Sequence, residues 1–246
     1  MHARLAFIAL FTVCACSSHQ SAFRSFEASD SRPGLATVWG ETRASPLREV
    51  FFERASESPI AQGKLFYDDR KGLANVAADL HEAEIPTFAG LETLVVDEQG
   101  RPYETVSAAG RIYVAGAEGR RYRLRLHNRT GQRLEVVASV DGLDVMDGGR
   151  AGLEKRGYLV DPHSTLTIEG FRRNLEEVAA FRFGAVADSY AARTGDDRNV
   201  GVIGFAFFDE RRARVQDDDE LERRRDAKPF SNGRFAQPPM PFNTAP

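Results

Sequence analysis

The stretch Arg121-Tyr-Arg-Leu-Arg-Leu-His-Asn-Arg-Thr-Gly-Gln-Arg-Leu-Glu-Val-Val-Ala-Ser-Val140 contains two runs in which apolar and polar residues alternate. Apolar residues at every second position indicate a β-strand with one buried face. The interruption, Asn128-Arg-Thr-Gly131, is typical of a turn, and Gly131 stands where a positive φ is expected. The stretch therefore predicts a β-hairpin that buries Tyr122, Leu124, Leu126, Leu134, Val136, Ala138 and Val140.

Further short, β-prone segments follow this stretch at regular spacing, at residues 157–161, 166–169, 178–183 and 199–208. The last of them is apolar on both faces, which predicts a central strand that is covered on both sides. Together these segments predict a mainly β fold, an antiparallel β-sandwich of jelly-roll or Ig-like type, with its core at residues 101–210.

Residues 36–100 precede this core as a segment of mixed β and α character. The runs 36–40, 49–53 and 64–68 are short and β-prone. Apolar residues then recur at helical spacing, which predicts a short amphipathic helix from about Gly72 to Glu84, stopped by Pro86. The pattern leaves open whether residues 36–100 form a separate domain.

The first twenty residues resemble the export signal of bacterial lipoproteins. Arg4 precedes the apolar run 5–13, and Val13-Cys14-Ala15-Cys16 closes it, with Cys14 as the departure from the usual pattern. The resemblance implies that residues 1–15 are a signal peptide, that cleavage precedes Cys16, and that Cys16 carries the acyl chains that insert into a lipid bilayer.

By the same resemblance, Ser17 in place of Asp implies the outer membrane of a Gram-negative cell envelope as the destination. Residues 16–35 are polar and Ser-rich, which predicts a lipidated tether between the bilayer and the folded part. A plain secretory cut after Ala15 is the alternative, and it predicts a soluble secreted protein.

Composition narrows the classes of partner and chemistry. The 246 residues carry a formal net charge of -3 with acids and bases interspersed, so we expect no nucleic-acid partner. Both cysteines lie within residues 1–16, which leaves no thiol for a disulfide, a metal or a nucleophile after cleavage. Residues 211–246 are charged and Pro-rich without apolar periodicity, which predicts a disordered tail.

Two short motifs allow a chemical interpretation beside a structural one. Asp141-Gly-Leu-Asp144-Val-Met-Asp147-Gly-Gly149 places three carboxylates at intervals of three. Calcium loops of the EF-hand type place their acids at every second residue, so a tight turn is favoured. His163, in Asp161-Pro-His-Ser164, is likewise favoured as a turn residue over a member of a catalytic triad. We predict no metal, no cofactor and no catalytic set.

The block around these motifs resembles an uncharacterised family of secreted bacterial proteins over about residues 110–210. The matching pieces are 122–131, 140–148, 157–160, 168–172, 180–183, 188–192 and 199–204. The resemblance implies no activity. It implies a shared module whose candidate ligand-binding residues are Asp141, Asp144, Glu169, Arg172, Asp188 and Tyr190.

The leading hypothesis is a noncatalytic, envelope-anchored lipoprotein that binds a protein or glycan partner or has a structural role in the envelope. A carboxylate-based hydrolase acting on envelope polysaccharide through Asp144 and Glu169 is the alternative, and it requires a separation of about 5–10 Å between the two acids. A third hypothesis is an inhibitor or toxin-neutralising protein. The Arg-rich run 120–133 is interpreted as a solvated face balanced by acids, with an anion-binding stripe as the alternative.

Overall fold

The computed structural model describes residues 32–76, 80–195, 198–211 and Arg225. The predicted signal peptide with Cys16, the predicted tether up to residue 31 and the predicted tail from residue 212, apart from Arg225, lie outside the described residues. Within the described part, no helix is long and apolar enough to cross a membrane.

Fifteen short strands and two short helices build the described part. They are β1 (Leu35–Ala44), β2 (Ala61–Asp68), α1 (Arg70–Val76), β3 (His81–Glu82), β4 (Thr87–Phe88), β5 (Leu91–Val96), β6 (Thr105–Ala108), β7 (Arg111–Ala115), β8 (Arg121–Asn128), β9 (Leu134–Val140), β10 (Leu143–Asp144), β11 (Tyr158–Val160), β12 (Thr165–Ile168), β13 (Gly170–Arg172), β14 (Glu177–Ala185), α2 (Tyr190–Thr194) and β15 (Val202–Asp209).

These strands form two sheets around one core, so the prediction of a mainly β sandwich is confirmed. The first sheet has the order β1-β14-β8-β5-β4, with β12 beside β8 and β13 beside β14. The second has the order β10-β9-β15-β2-β7-β6-β3, with β11 beside β9. Strands β2 and β7 run parallel, and the other described pairs are antiparallel.

The core between the sheets is aromatic at its centre. Phe183 of β14 contacts Tyr67, Tyr103 and Tyr122, with ring centroids 4.3–5.5 Å apart. All four side chains are at least half-buried, and Phe183 and Tyr122 are fully enclosed. Because aromatic side chains bury large areas, these contacts hold strands of both sheets against each other.

The predicted hairpin at residues 121–140 is wrong. β8 pairs with β5, β12 and β14 in the first sheet, whereas β9 pairs with β15, β10 and β11 in the second. The chain therefore crosses the core between the two strands. The alternation of apolar and polar residues indicates that a strand has one buried face, but it does not indicate which strand pairs with it.

Asn128 stabilises this crossing, and Gly131 does not adopt a positive φ. The Asn128 Oδ1 accepts from the Thr130 N–H at 2.9 Å, and its Nδ2 donates to the carbonyl oxygens of Gln132 at 2.7 Å and Asp161 at 3.1 Å. A single buried amide thus satisfies backbone groups on both sides of the connection.

Two expectations for the N-terminal half also fail. Residues 49–53 are irregular, and they lead to an isolated bridge between Arg54 and Glu210. The predicted helix at 72–84 runs instead from Arg70 to Val76, and His81–Glu82 forms β3 against β6. A strand partner outside the local sequence thus overrides the helical period there.

Two other points of the sequence interpretation are settled by strand pairing. β15 is central between β9 and β2, as predicted. Its residues Ala206 and Phe208 form a second buried cluster with Val137 of β9, and the Arg54 guanidinium lies over the Phe208 ring. Residues 36–100 are not a separate domain, because β1 pairs with β14, β2 with β15 and β5 with β8.

Candidate functional site

The six candidate residues fall into four places rather than one. Asp141 lies in the core between the sheets, Asp144 and Arg172 line one cleft, Glu169 lies beside Arg123 in another, and Asp188 and Tyr190 lie near Trp39.

Asp141 forms a two-residue turn with Gly142 between β9 and β10. Both residues have positive φ, 55° and 80°, and Val140 pairs with Leu143 across them. Asp-Gly is a favoured sequence for such a turn, because Asp tolerates and Gly readily adopts the left-handed conformation. The turn interpretation of this motif is therefore confirmed.

The Asp141 side chain is the centre of a buried hydrogen-bond network. Its Oδ1 accepts from the Tyr67 hydroxyl at 2.6 Å and from the Gly201 N–H at 2.9 Å, and its Oδ2 accepts from the Thr37 N–H at 2.7 Å. The Thr37 hydroxyl is 2.8 Å from the Tyr67 hydroxyl and 2.5 Å from that of Tyr122. The network joins both sheets, so Asp141 has a structural role.

Burial of Asp141 predicts that the protein loses stability as pH rises from about 4 to 6. Burial raises the pKa of this carboxyl from 3.8 to about 6, although hydrogen bonds from Tyr67 and Thr37 act in the opposite direction. Between these values the folded chain holds a proton that the unfolded chain has released. The free energy of unfolding should therefore fall across the window by on the order of 3 kcal/mol for this group.

Denaturant titrations at steps between pH 4 and 7 measure this slope, with Asp141→Asn as the non-titrating control. Burial also raises the pKa of Asp144, which adds a contribution of the same sign. The pKa values of Glu41, Asp97 and Asp147 are lowered. Their contributions to the pH dependence of stability have the opposite sign, and they occur mainly at lower pH than the window of Asp141. Equal slopes in the two chains would contradict this role of Asp141.

One cleft of the described part, here called the Asp144 cleft, has a volume of about 730 Å³. Three irregular segments form its walls, at residues 47–52, 154–157 and 173–175, and strand residues Asp144, Tyr158 and Arg172 lie among them. The volume falls in the range of about 300–1,000 Å³ that is usual for ligand sites.

Asp144 is 1% exposed and only half of its carboxylate is used. Its Oδ1 accepts from the N–H groups of Met146 at 2.8 Å and Asp147 at 3.1 Å, whereas its Oδ2 is buried and has no hydrogen-bond partner among the described residues. A buried oxygen without a hydrogen bond costs free energy. A further hydrogen-bond donor at the Oδ2 of Asp144 would therefore be stabilising.

Arg172 and Tyr158 form a rigid wall of the same cleft. The Arg172 Nε donates to the Tyr158 hydroxyl at 3.1 Å, and its Nη1 donates to the carbonyl oxygen of Ser45 at 2.7 Å and that of Asn174 at 3.2 Å. The guanidinium is therefore engaged in positioning its neighbours. The proton of the Tyr158 hydroxyl has no acceptor among the described residues, so this hydroxyl still has a hydrogen bond to donate.

Arg54 and Glu135 support the cleft from behind. The Arg54 Nε is 2.5 Å from the Glu135 Oε2, and the guanidinium lies 3.7 Å from the centre of the Phe208 ring. Its Nη1 and Nη2 donate to the carbonyl oxygens of Leu153 at 2.6 Å and Lys155 at 2.5 Å. One side chain thus connects the segment before β2, the loop before β11, and β9.

Glu169 is not among the residues that line the Asp144 cleft. It lines a small separate pocket and is 3.4 Å from the Arg123 guanidinium. The two acids of the hydrolase alternative are therefore not brought into one cleft. Arg121 pairs with Glu98, and Arg129 with Glu92, which favours the solvated-face interpretation of the Arg-rich run.

Sequence reasoning missed three residues that the structure makes prominent. Tyr158 and Trp39 lay within predicted strands, and the singular occurrence of Trp39 in the chain was a usable signal. Arg54 gave no signal, because Glu135 and Leu153 are 81 and 99 positions away from it.

Comparison with family models, with curated proteins and with solved structures finds no match to this chain. The resemblance over residues 110–210 therefore stays a prediction, and the functional argument depends on the geometry.

Proposed function

We propose that this protein is a noncatalytic, lipid-anchored protein of the cell envelope that binds another envelope protein through the Asp144 cleft. The anchor rests on the signal-like first twenty residues with Cys16 as the acylation site. The observation that carries the binding role is the buried, unpartnered Oδ2 of Asp144 in a cleft with rigid strand residues around it.

Apolar side chains at the mouth of the cleft favour a protein over a glycan. Val50 and Leu175 line the cleft and are about half exposed, and the neighbouring Phe51 is 84% exposed. Exposed large apolar groups that adjoin a cleft are typical of interaction surfaces. A partner with an apolar side chain for this rim and a hydrogen-bond donor for Asp144 satisfies both features.

A binding role also agrees with the way the polar groups are used. Arg172 is occupied by Ser45, Asn174 and Tyr158, and the second acid of a hydrolase, Glu169, lies in another pocket. The particular acid pair of the hydrolase alternative, Asp144 and Glu169, therefore does not line one cleft.

Site-specific crosslinking in intact cells tests the proposal. A photo-crosslinking amino acid at Leu175, in the chain with native Cys16, should give a discrete protein adduct. The same group at Arg111, on β7 and outside the cleft lining, should not. The adduct should disappear with Cys16→Ser, because that chain lacks the anchor.

Asp144→Asn keeps the acceptor for Met146 and Asp147 and replaces only the unpartnered oxygen, so it should fold normally. It should reduce the adduct at Leu175 by about tenfold, the loss of one charge-assisted hydrogen bond. Identical adducts from both positions, or no effect of Asp144→Asn on a folded chain, would overturn the proposal. An adduct that consists of glycan would replace the protein partner with a glycan.

A further inference from the structure

Trp39, the single tryptophan of the chain, lies on β1 at the edge of the first sheet. The register between β1 and β14 shifts between Trp39 and Thr42, which is a bulge in the edge strand. Bulges at sheet edges end regular pairing and change the direction of a side chain. Trp39 remains 41% exposed, although tryptophan is a residue that folding usually buries.

The indole is exposed but firmly held. It stacks on Phe171 at an interplanar angle of 4° with ring centroids 6.0 Å apart, and it meets Tyr190 edge-on at 4.7 Å. Phe171 is fully buried, and Tyr190 belongs to α2, whose first turn is capped by the Ser189 side chain. A flat apolar surface is therefore fixed in place before any ligand arrives, which lowers the entropic cost of binding.

Trp39 lines a groove of about 370 Å³ that shares no lining residue with the Asp144 cleft. Four charged side chains surround this Trp39 groove, the acids Glu118 and Asp188 and the bases Arg182 and Arg193. Their formal charges cancel. A groove with balanced charge gives no electrostatic preference for an anion or a cation.

Of these four side chains, only Arg182 is hydrogen-bonded to other residues of the described part. Arg182 donates to Glu41 and to the Gly119 carbonyl oxygen. Glu118, Asp188 and Arg193 make no side-chain hydrogen bond or ion pair within the described part of the chain. The groove thus offers free acceptors and free donors beside an aromatic ring.

We infer that the Trp39 groove binds a neutral sugar ring. A pyranose presents C–H groups that pack on an aromatic surface, and its hydroxyls both donate to carboxylates and accept from a guanidinium. A simple anion would meet Glu118 and Asp188, and a simple cation would meet Arg193 and Arg182. A neutral, hydroxyl-rich ring uses all the groups that line the groove and opposes none of them.

This site is independent of the protein partner proposed for the Asp144 cleft. With both sites, the sandwich would hold an envelope protein at one place and a glycan at another. The two assignments can fail separately, since no residue lines both sites.

The fluorescence of Trp39 provides a direct test, because the chain has no other tryptophan. The full chain, purified with Cys16→Ser, is titrated with neutral di- and trisaccharides of glucose, galactose, mannose and N-acetylglucosamine. Inorganic phosphate and choline serve as charged probes. We expect a saturable change in emission with at least one neutral sugar and none with phosphate or choline.

Asp188→Asn and Arg193→Gln should each weaken sugar binding by about tenfold, because each removes a charge-assisted hydrogen bond. Their thermal unfolding should match the parent chain, since neither side chain has a partner to lose. Leu175→Ala, in the Asp144 cleft, is the matched control and should leave the titration unchanged.

The inference is overturned if no neutral sugar of the panel changes the emission up to millimolar concentration. It is also overturned if phosphate or choline binds instead, or if the two groove variants titrate as the parent does.

Discussion

Asp141→Ala should lower the free energy of unfolding by about 4–6 kcal/mol at pH 7, because it removes the acceptor that three buried donors use. These are the hydroxyl of Tyr67 and the N–H groups of Thr37 and Gly201. The alanine would also have to keep the positive φ of 55° at this position, which side chains other than Asn and Asp adopt at a cost. Most domains are stable by only about 5–15 kcal/mol, so the variant should be marginally folded at best.

Chemical denaturation of the full chain measures this loss, and Tyr67→Phe is the matched control. That change removes one donor and leaves Asp141 with its two backbone partners, so it should cost about 1–2 kcal/mol. The loss of stability in Asp141→Asn should lie between those of the other two variants. Its amide keeps one acceptor oxygen, but its NH₂ group is a donor and meets at least one of the donors that the carboxylate accepted from. If Asp141→Ala were no less stable than Tyr67→Phe, the network would not join the sheets as described.

Arg54→Ala should destabilise the protein by about 3–5 kcal/mol, because it leaves the carboxylate of Glu135 buried without its cation. Glu135 is only 6% exposed, and its remaining bond is the one from the Gly157 N–H at 2.7 Å. The change also uncovers the Phe208 ring and removes the donors to Leu153 and Lys155. Since these contacts support the Asp144 cleft, the crosslink from Leu175 should weaken as well.

Denaturant unfolding compares Arg54→Ala with Arg211→Ala, which removes the exposed ion pair to Glu53. An exposed pair contributes less than about 1 kcal/mol, so Arg211→Ala should be nearly neutral. The double change of Arg54→Met with Glu135→Leu should be milder than Arg54→Ala, because no charge is left buried. Equal effects of Arg54→Ala and Arg211→Ala would show that burial does not strengthen the Arg54 pair.

The fold class followed from local pattern, but the arrangement of the strands did not. Alternation at residues 122–126 and 134–140 marked two strands, and both exist. Their separation into different sheets depends on β5, β12, β14 and β15, which occupy the pairing edges that a hairpin would have used. Pairing between distant segments has no signature in the local period.

The candidate site was predictable in its residue types and not in its geometry. The motif at 141–149 predicts a turn, and the left-handed Asp141-Gly142 pair confirms it. The same motif does not reveal that both oxygens of Asp141 accept hydrogen bonds in the core whereas one oxygen of Asp144 has no partner. The donors to Asp141 come from residues 37, 67 and 201, which are distant in the sequence. Only folding brings these donors to one of the two acids.

Composition and period-two patterning are local properties, and from them alone follow a mainly β chain rich in aromatic residues, a signal-like beginning and the absence of a thiol beyond Cys16. Three other features depend on the contacts between distant segments. The tertiary structure separated β8 from β9, it distinguished Asp141, whose two oxygens are both hydrogen-bonded, from Asp144, whose Oδ2 is unpartnered, and it placed Trp39 beside Asp188 and Arg193. Each of these depends on which distant segments exclude water from one another, and burial is a property of the assembled chain rather than of any stretch of it.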